Sequence, residues 1–364
     1  GYRFNIAHED LNPYIRDTKG HRDLVALAMD WRMKPGTVVD FEFEQSHREQ
    51  IGVNGYSLLG ATLPAPVDPR NNLTRQAWTL PGVFEASTSS IRLRQTLESN
   101  WLWTTQVGRQ RLKTDDRLTY GFGYNCYGID KICDRFTSAG DYEIDDYRSE
   151  NERRIVDAIQ TQVAGSAKLW ELDHHLSFEV LRQRQLDKFP PNQAWNFAGY
   201  GNAISGTSSS IADPSQLTAN TNRSEYATEL SVKDRIELSP TISLWTGLRH
   251  VAFNKTSSQN SPNYGTNPSA LQGHINLPWV GISKRLNETM IFASHGHGLE
   301  QNVAPNNSTL YTNAGEILGL SRSRQSELGI RNATLTSTNW SASYFEISRP
   351  LVHDTLDTAP QYPI

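Results

Sequence analysis

The stretch Asp23-Leu24-Val25-Ala26-Leu27-Ala28-Met29-Asp30-Trp31-Arg32-Met33-Lys34-Pro35-Gly36-Thr37-Val38-Val39-Asp40-Phe41-Glu42-Phe43-Glu44 decides how the chain folds. Val25, Leu27, Met29 and Trp31 fall on one side of an extended backbone, and Ala26, Ala28, Asp30 and Arg32 on the other. After Met33–Gly36 the same alternation resumes, with Val39, Phe41 and Phe43 against Asp40, Glu42 and Glu44. A helical period would mix these sets; a period of two keeps them apart, so this is a hairpin with one apolar and one charged face.

The pattern recurs along the chain. Ile91 and Leu93 alternate with Arg92 and Arg94, and Leu176, Phe178 and Val180 with Ser177 and Glu179. Leu230, Val232, Ile236 and Leu238 oppose Glu229, Ser231, Lys233, Arg235 and Glu237, with Asp234 interrupting the apolar row. About thirteen such strands can be placed. Short turns at Met33–Gly36, Glu98–Asn100, Lys168–Asp173, Ser239–Thr241, Arg285–Glu288 and Ser337–Asn339 alternate with long connections. The long ones run around Ile51–Ala86, Gly123–Asp141, Phe189–Arg223, Asn254–Ala270 and Asn302–Leu320. An all-β, antiparallel, up-and-down transmembrane barrel in a bacterial outer membrane has this asymmetry, with short turns inside the cell envelope and long loops outside. A soluble carbohydrate-binding sandwich would mix loop lengths at both ends. Trp31, Trp101, Trp103, Trp170, Trp245, Trp279 and Trp340 lie in or near short turns, as expected of an aromatic belt at the periplasmic interface.

Composition agrees with this reading. The 364 residues are 37% hydrophobic and 20% charged with a net charge of −4, which provides no basic face for nucleic acid. Mean hydropathy is −0.57 and no apolar run is long enough for a membrane helix, but a barrel shows only alternate residues to lipid. Charges such as Asp40, Glu42, Glu44, Arg92, Arg94, Lys233 and Arg235 on the second face call for a wide, wet lumen. The neighbouring Cys126 and Cys133 are expected to form a local disulfide in an oxidising compartment.

Four ordered elements carry a resemblance to a known family. Phe292-Ala293-Ser294-His295-Gly296-His297-Gly298-Leu299-Glu300 resembles the aromatic-Ala-Ser-Tyr-x-x-Gly-Leu-Glu strand of TonB-dependent siderophore receptors, with His295 where an aromatic is usual. Asn313-Ala314-Gly315-Glu316-Ile317-Leu318 is similar to their Asn-x-Gly-x-x-Leu. Ser323-Arg324-Gln325-Ser326-Glu327-Leu328-Gly329-Ile330-Arg331 is similar to their Ser-x-Gln-x-Glu-x-Gly-x-Lys, with Ser321 where a Pro commonly precedes. Ser343-Tyr344-Phe345-Glu346-Ile347-Ser348-Arg349-Pro350 resembles the strand that follows. The loop with Pro64, Pro66, Pro69, Trp78 and Pro81 looks like that of ferric-siderophore members. The resemblance implies that residues 1–364 are an open part of a barrel of roughly 22 strands. The plug, the first strand or so and the last strands would lie outside it.

That resemblance also implies an importer of a ferric siderophore. Its partners would be TonB–ExbB–ExbD, acting through the plug, and outer-membrane lipid and lipopolysaccharide. Iron would be carried by the siderophore, so no cofactor and no metal site of the protein is expected. Ferric citrate, a cobalamin or a glycan are alternative ligands, and an outer-membrane enzyme or adhesin is the alternative class. No nucleophile–base or paired-acid constellation points to an enzyme. His174 and His175 are adjacent and face opposite ways, while His295 and His297 share a face and read as packing or lumen residues. Asp115-Asp116 and Asp145-Asp146 are placed near the extracellular rim, where lipopolysaccharide-bound cations are within reach. The candidate ligand contacts are loop aromatics: Trp78, Phe122, Tyr124, Tyr127, Trp195, Tyr200 and Tyr264.

Overall fold

Alternation of β-branched and aromatic residues with polar ones makes each segment a strand that needs neighbours on both edges. In the computed structural model the described residues form one antiparallel sheet of sixteen strands. The structure describes residues 1–53, 55–65, 68–123, 135–216, 218–259, 269–304, 311–313, 316–332 and 338–351.

The strands are β1 (Tyr2–Leu11), β2 (Gly20–Lys34), β3 (Thr37–Gln50), β4 (Gly82–Thr96), β5 (Leu102–Phe122), β6 (Asp141–Leu169), β7 (Leu172–Lys188) and β8 (Asn192–Asn202). They continue with β9 (Ser208–Ser210), β10 (Thr218–Ala219), β11 (Thr221–Ser239), β12 (Ile242–Gln259), β13 (Ser269–Leu286), β14 (Thr289–Glu300), β15 (Ser321–Asn332) and β16 (Trp340–Ser348). Each strand of the wall pairs with its sequence neighbour, except that β7 passes to β11 over the small strands β8–β10. The path therefore runs through thirteen strands, as the alternation predicts. Among the described residues β1 pairs only with β2 and β16 only with β15, so the sheet is open. Among the described residues no helix is long and apolar enough to cross a membrane.

Short turns close one end of the wall. Gly36 takes φ +78° beside Thr96, and the two-residue connection Trp170–Glu171 has φ of 49° and 65° at its centre. The hairpin of β5 and β6 rises far above the opposite end, because β6 has 29 residues where a membrane crossing needs about 10. There β8 joins the upper part of β6, and β9 and β10 pair with β8. The Phe189–Arg223 connection is thus partly built into the sheet.

Register fixes what each face of the wall carries. Phe41, Ile91, Val107 and Ile159 lie in one row across β3 to β6, and Val180, Leu230 and Val232 continue the same face through β7 and β11. All of these side chains but the half-buried Phe41 are exposed, Ile91 by 55% and Val107 by 51%, which suits a face turned to hydrocarbon. The other face carries Asp40, Arg92, Arg94 and Gln106, with Arg94 and Asp40 joined by two 3.0 Å hydrogen bonds.

The tryptophan belt is only partly outward. Trp31 and Trp103 stand on the apolar face, but Trp245 and Trp279 stand on the polar one. Arg235 lies over Trp245, its guanidinium carbon 5.4 Å from the ring centre, and Trp279 covers Gly247 so closely that a Cβ there would run into its indole nitrogen. Height along the strand was legible from the turns; the side depends on parity. Of the packing and lumen readings of His295 and His297, the lumen one does not hold. They share the face of Ile291 and Ala293, so they point outward and not into the lumen.

The largest buried apolar cluster is above the wall. Leu59 and Leu73 of the 51–81 connection meet Phe136, Tyr142, Ile144, Ala198 and Ala203, with Tyr56 and Trp78 packed around them. Tyr142 is buried and donates its hydroxyl to the Leu73 carbonyl at 2.8 Å; burial pushes its pKa up to about 12.

Candidate ligand-binding surface

The upper β5–β6 hairpin changes direction at a bulge. Asn151 takes φ +61° and donates its backbone N–H to the Asp115 carboxylate at 2.7 Å. Glu152, on the polar face of β6, then accepts hydrogen bonds from Thr114, Ser149 and Arg154. Ser149 therefore stays on the polar side, and the residues alternating with it, Tyr147 and Asp145, continue that side upward.

Strand β8 completes the surface. Trp195 is opposite Tyr147, Phe197 opposite Asp145, and Tyr200 opposite Glu143. The Trp195 ring meets Tyr147 edge-on at 5.6 Å and Tyr120 at 6.1 Å, while Phe197 and Tyr200 lie 4.8 Å apart. Trp195 and Phe197 are each 51% exposed and Tyr200 49%. Five aromatic rings thus form a semi-exposed platform, each with apolar area on offer and its geometry fixed by sheet register.

The carboxylates of this surface are perturbed. Burial raises the Asp145 pKa, and the indole N–H of Trp195, donated at 2.9 Å, pulls it back down in part. Burial also raises Asp116, helped by repulsion from Glu152. Burial raises the Tyr147 phenol. The back of the platform is pinned: Arg148 chelates Asp146, whose carboxylate accepts the backbone N–H of Asp213, and Asn196 donates to the carbonyls of Asp213 and Ser215. Rigid support of this kind suits a recognition surface.

Of the candidates named from sequence, the structure brings Trp195 and Tyr200 together. Trp78 is elsewhere: it packs against the buried cluster that holds Tyr142 and Ile144, and donates its indole N–H to Ser210 at 3.0 Å. Phe122 ends β5, opposite Glu143. Tyr124, Tyr127 and Tyr264 lie outside the described residues, as does the Cys126–Cys133 pair. Sequence reasoning missed Tyr120, Tyr147 and Phe197. Tyr147 alternates with Asp145 and Ser149, but only the pairing with β8 shows that it meets Trp195. Below the platform, on the outward face, a groove has Ile91, Val107 and Ile159 as its floor and Arg109, Arg182 and Arg184 along its sides.

No family model matches the sequence. No curated protein matches it either. Solved structures do. The ferric preacinetobactin receptor BauA from Acinetobacter baumannii aligns with a TM-score of 0.71 and 17% identity over 96% of this chain and 50% of its own. The ferric-catecholate import receptor Fiu from E. coli K12 aligns at 0.76 and 13% over 95% of this chain and 54% of its own. FpvA of P. aeruginosa, bound to heterologous pyoverdines, aligns at 0.72 and 14% over 95% and 44%. These neighbours are TonB-dependent siderophore receptors. At such identities the likeness establishes the fold: the chain has the architecture of that barrel and spans about half the length of the structures it matches.

Proposed function

We propose that this chain is the barrel wall of an outer-membrane importer of the TonB-dependent class, and that the ligand it takes is a ferric siderophore. The observation that carries the reading is the platform of Tyr120, Tyr147, Trp195, Phe197 and Tyr200. It continues the polar, lumen-side face of the wall at the end away from the short turns. Exposed rings at that height offer stacking surface to the flat, conjugated arms of an iron chelate arriving from outside, and Tyr hydroxyls supply hydrogen bonds at the ring edges. The iron travels as cargo, ligated by the chelate. Asp145 and Glu143 beside the rings disfavour a compact polyanion such as ferric citrate.

The membrane location rests on the two faces of the wall. Ile91, Val107 and Ile159 form an outward apolar band, and Arg109, Arg182 and Arg184 stand beside it where anionic head groups of the outer leaflet are met. In this reading the wall holds and orients the chelate. Release inward belongs to a plug moved by TonB–ExbB–ExbD, and transport, not catalysis, is the activity.

The test is binding and growth. The full-length protein in detergent is titrated with ferric catecholates, hydroxamates and mixed chelates while tryptophan fluorescence is followed. One class is expected to quench saturably, and Trp195→Ala to weaken it about tenfold, the loss of one stacking contact worth ~1.4 kcal/mol. A deletion strain is expected to lose growth on that chelate alone. Absence of binding to every chelate, or recovery of the protein outside the outer-membrane fraction, sinks the reading.

A further inference from the structure

On the outward face of the first three strands, at the upper margin of the apolar band, three imidazoles and several carboxylates meet. Register puts them there. His8, Asp23 and His47 form one rung across β1, β2 and β3, and Asp10, His21 and Glu49 the next. The donor atoms of His21, His47 and Glu49 all lie within 4.8 Å of one another, and the rings of His21 and His47 are 5.5 Å apart. All three residues are half-exposed, so an ion reaches them without opening the fold. We propose that His21, His47 and Glu49 bind a divalent transition-metal ion, Zn2+ by its chemistry, on the outer wall of the barrel.

Two imidazoles and one carboxylate are a donor set of the borderline type that Zn2+ favours, whereas Ca2+ and Mg2+ prefer oxygen alone. Donors on a four-coordinate ion sit roughly 3 to 3.5 Å apart, a short rotamer adjustment from the arrangement here. The backbone under them is two rungs of adjacent antiparallel strands, so the donors are held together before the ion arrives. The surroundings are those of a metal site. The Glu85 carboxylate lies 3.9 Å from Nδ1 of His47, an outer carboxylate placed to orient a ligating imidazole through its second nitrogen. Asp23 lies 4.0 Å from His21 and is hydrogen-bonded to Nδ1 of His8 at 2.6 Å, which leaves Asp23 or a water as fourth donor. This site is separate from the aromatic platform, and the proposal stands whatever the imported ligand is.

The probe is Zn2+ alone, titrated into the chelator-washed full-length protein by calorimetry, with Co2+ as its spectroscopic substitute. One equivalent is expected to bind, and Co2+ to give the intense visible bands of a four-coordinate site. His21→Ala, His47→Ala and Glu49→Gln are each expected to weaken binding at least tenfold. His250→Ala, a change at another outward imidazole, is expected to leave it unchanged. The milder His47→Gln serves if either alanine variant fails to assemble. Unchanged affinity in the His21, His47 and Glu49 variants, no stoichiometric binding by the parent protein, or a six-coordinate Co2+ spectrum overturns the proposal.

Discussion

His174 of β7 and Asp234 of β11 are joined Nδ1 to Oδ2 at 2.6 Å within the apolar rows of the outward face, opposite Ile236 and Leu176 respectively. Both side chains are well covered, and Trp170 packs edge-on to the His174 ring at 6.3 Å. The pair explains why Asp234 interrupts its apolar row: the carboxylate has a partner one strand away. The adjacent His175 faces the other way, 2.8 Å from the Ser166 hydroxyl, as strand geometry requires.

Removing one member of this pair leaves the other covered and unpartnered. Asp234→Val or His174→Val alone is expected to cost about 3 kcal/mol. Combining His174→Val with Asp234→Val is expected to be near neutral, because it deletes both desolvation penalties together. A double-mutant cycle on urea unfolding of the protein in lipid checks this. A double that loses the sum of the two singles would show that the pair has no such role.

The orientation of the tryptophans gives a second prediction. In proteoliposomes containing brominated lipid, Trp31 and Trp103 should be quenched and Trp245 and Trp279 should not, since the latter pair stands on the polar face. Trp31→Phe is expected to lower the quenchable fraction, whereas Trp279→Phe should raise it. The reverse order would invert the faces of the wall.

Much of this wall was legible in sequence, and the reason is mechanical. A period of two survives as long as each strand is buried or wetted on one side only, so Val25 to Phe43 declares its two faces without help from neighbours. Turns announce themselves in the same way through Pro35–Gly36. What sequence hid was relations across strands. The segment around Trp195 has Gly199 and Gly201 within it and reads as a loop; it is a strand because the top of β6 offers it an edge. His21 and Glu49 are remote in sequence and become neighbours only when β2 and β3 take a particular register, since a slip of one residue would place them on opposite faces.

The turn between β6 and β7 stores strain that a substitution can release. Trp170 and Glu171 both hold positive φ, a conformation that costs a side-chain-bearing residue about 1 kcal/mol and that two-residue hairpins usually assign to Asn-Gly. Glu171→Gly is expected to stabilise the protein by about 1 kcal/mol, read as a higher melting temperature in detergent. Trp170 stays unchanged in that variant because it packs on His174. A lower or unaltered midpoint would mean that the turn is held by its flanking strands without strain.

The carboxylates on the platform's own face make its local stability depend on pH, and the sign follows from their raised pKa values. Asp116 is raised chiefly by burial and then by Glu152; Asp145 is raised chiefly by burial. A group with a folded-state pKa above its unfolded value contributes stability that is fully present below the ordinary value of 3.8 and is lost as pH climbs through the raised one. The upper β5–β6 hairpin should therefore open more readily at pH 7 than near pH 4, the ionised carboxylate of Asp116 being the desolvated species. Asp116→Asn should remove the Asp116 share of that dependence, leaving that of Asp145, because the amide carries no charge at either pH. Hydrogen exchange of peptides from the upper halves of β5 and β6, corrected for intrinsic rates, reads the difference. The variant is expected to be better protected than the parent at pH 7 and equal to it at pH 3.5. Greater protection of the parent at pH 7 would mean that the ionised form is the one the fold prefers, and that the hydrogen bonds around Glu152 outweigh the burial of its neighbour.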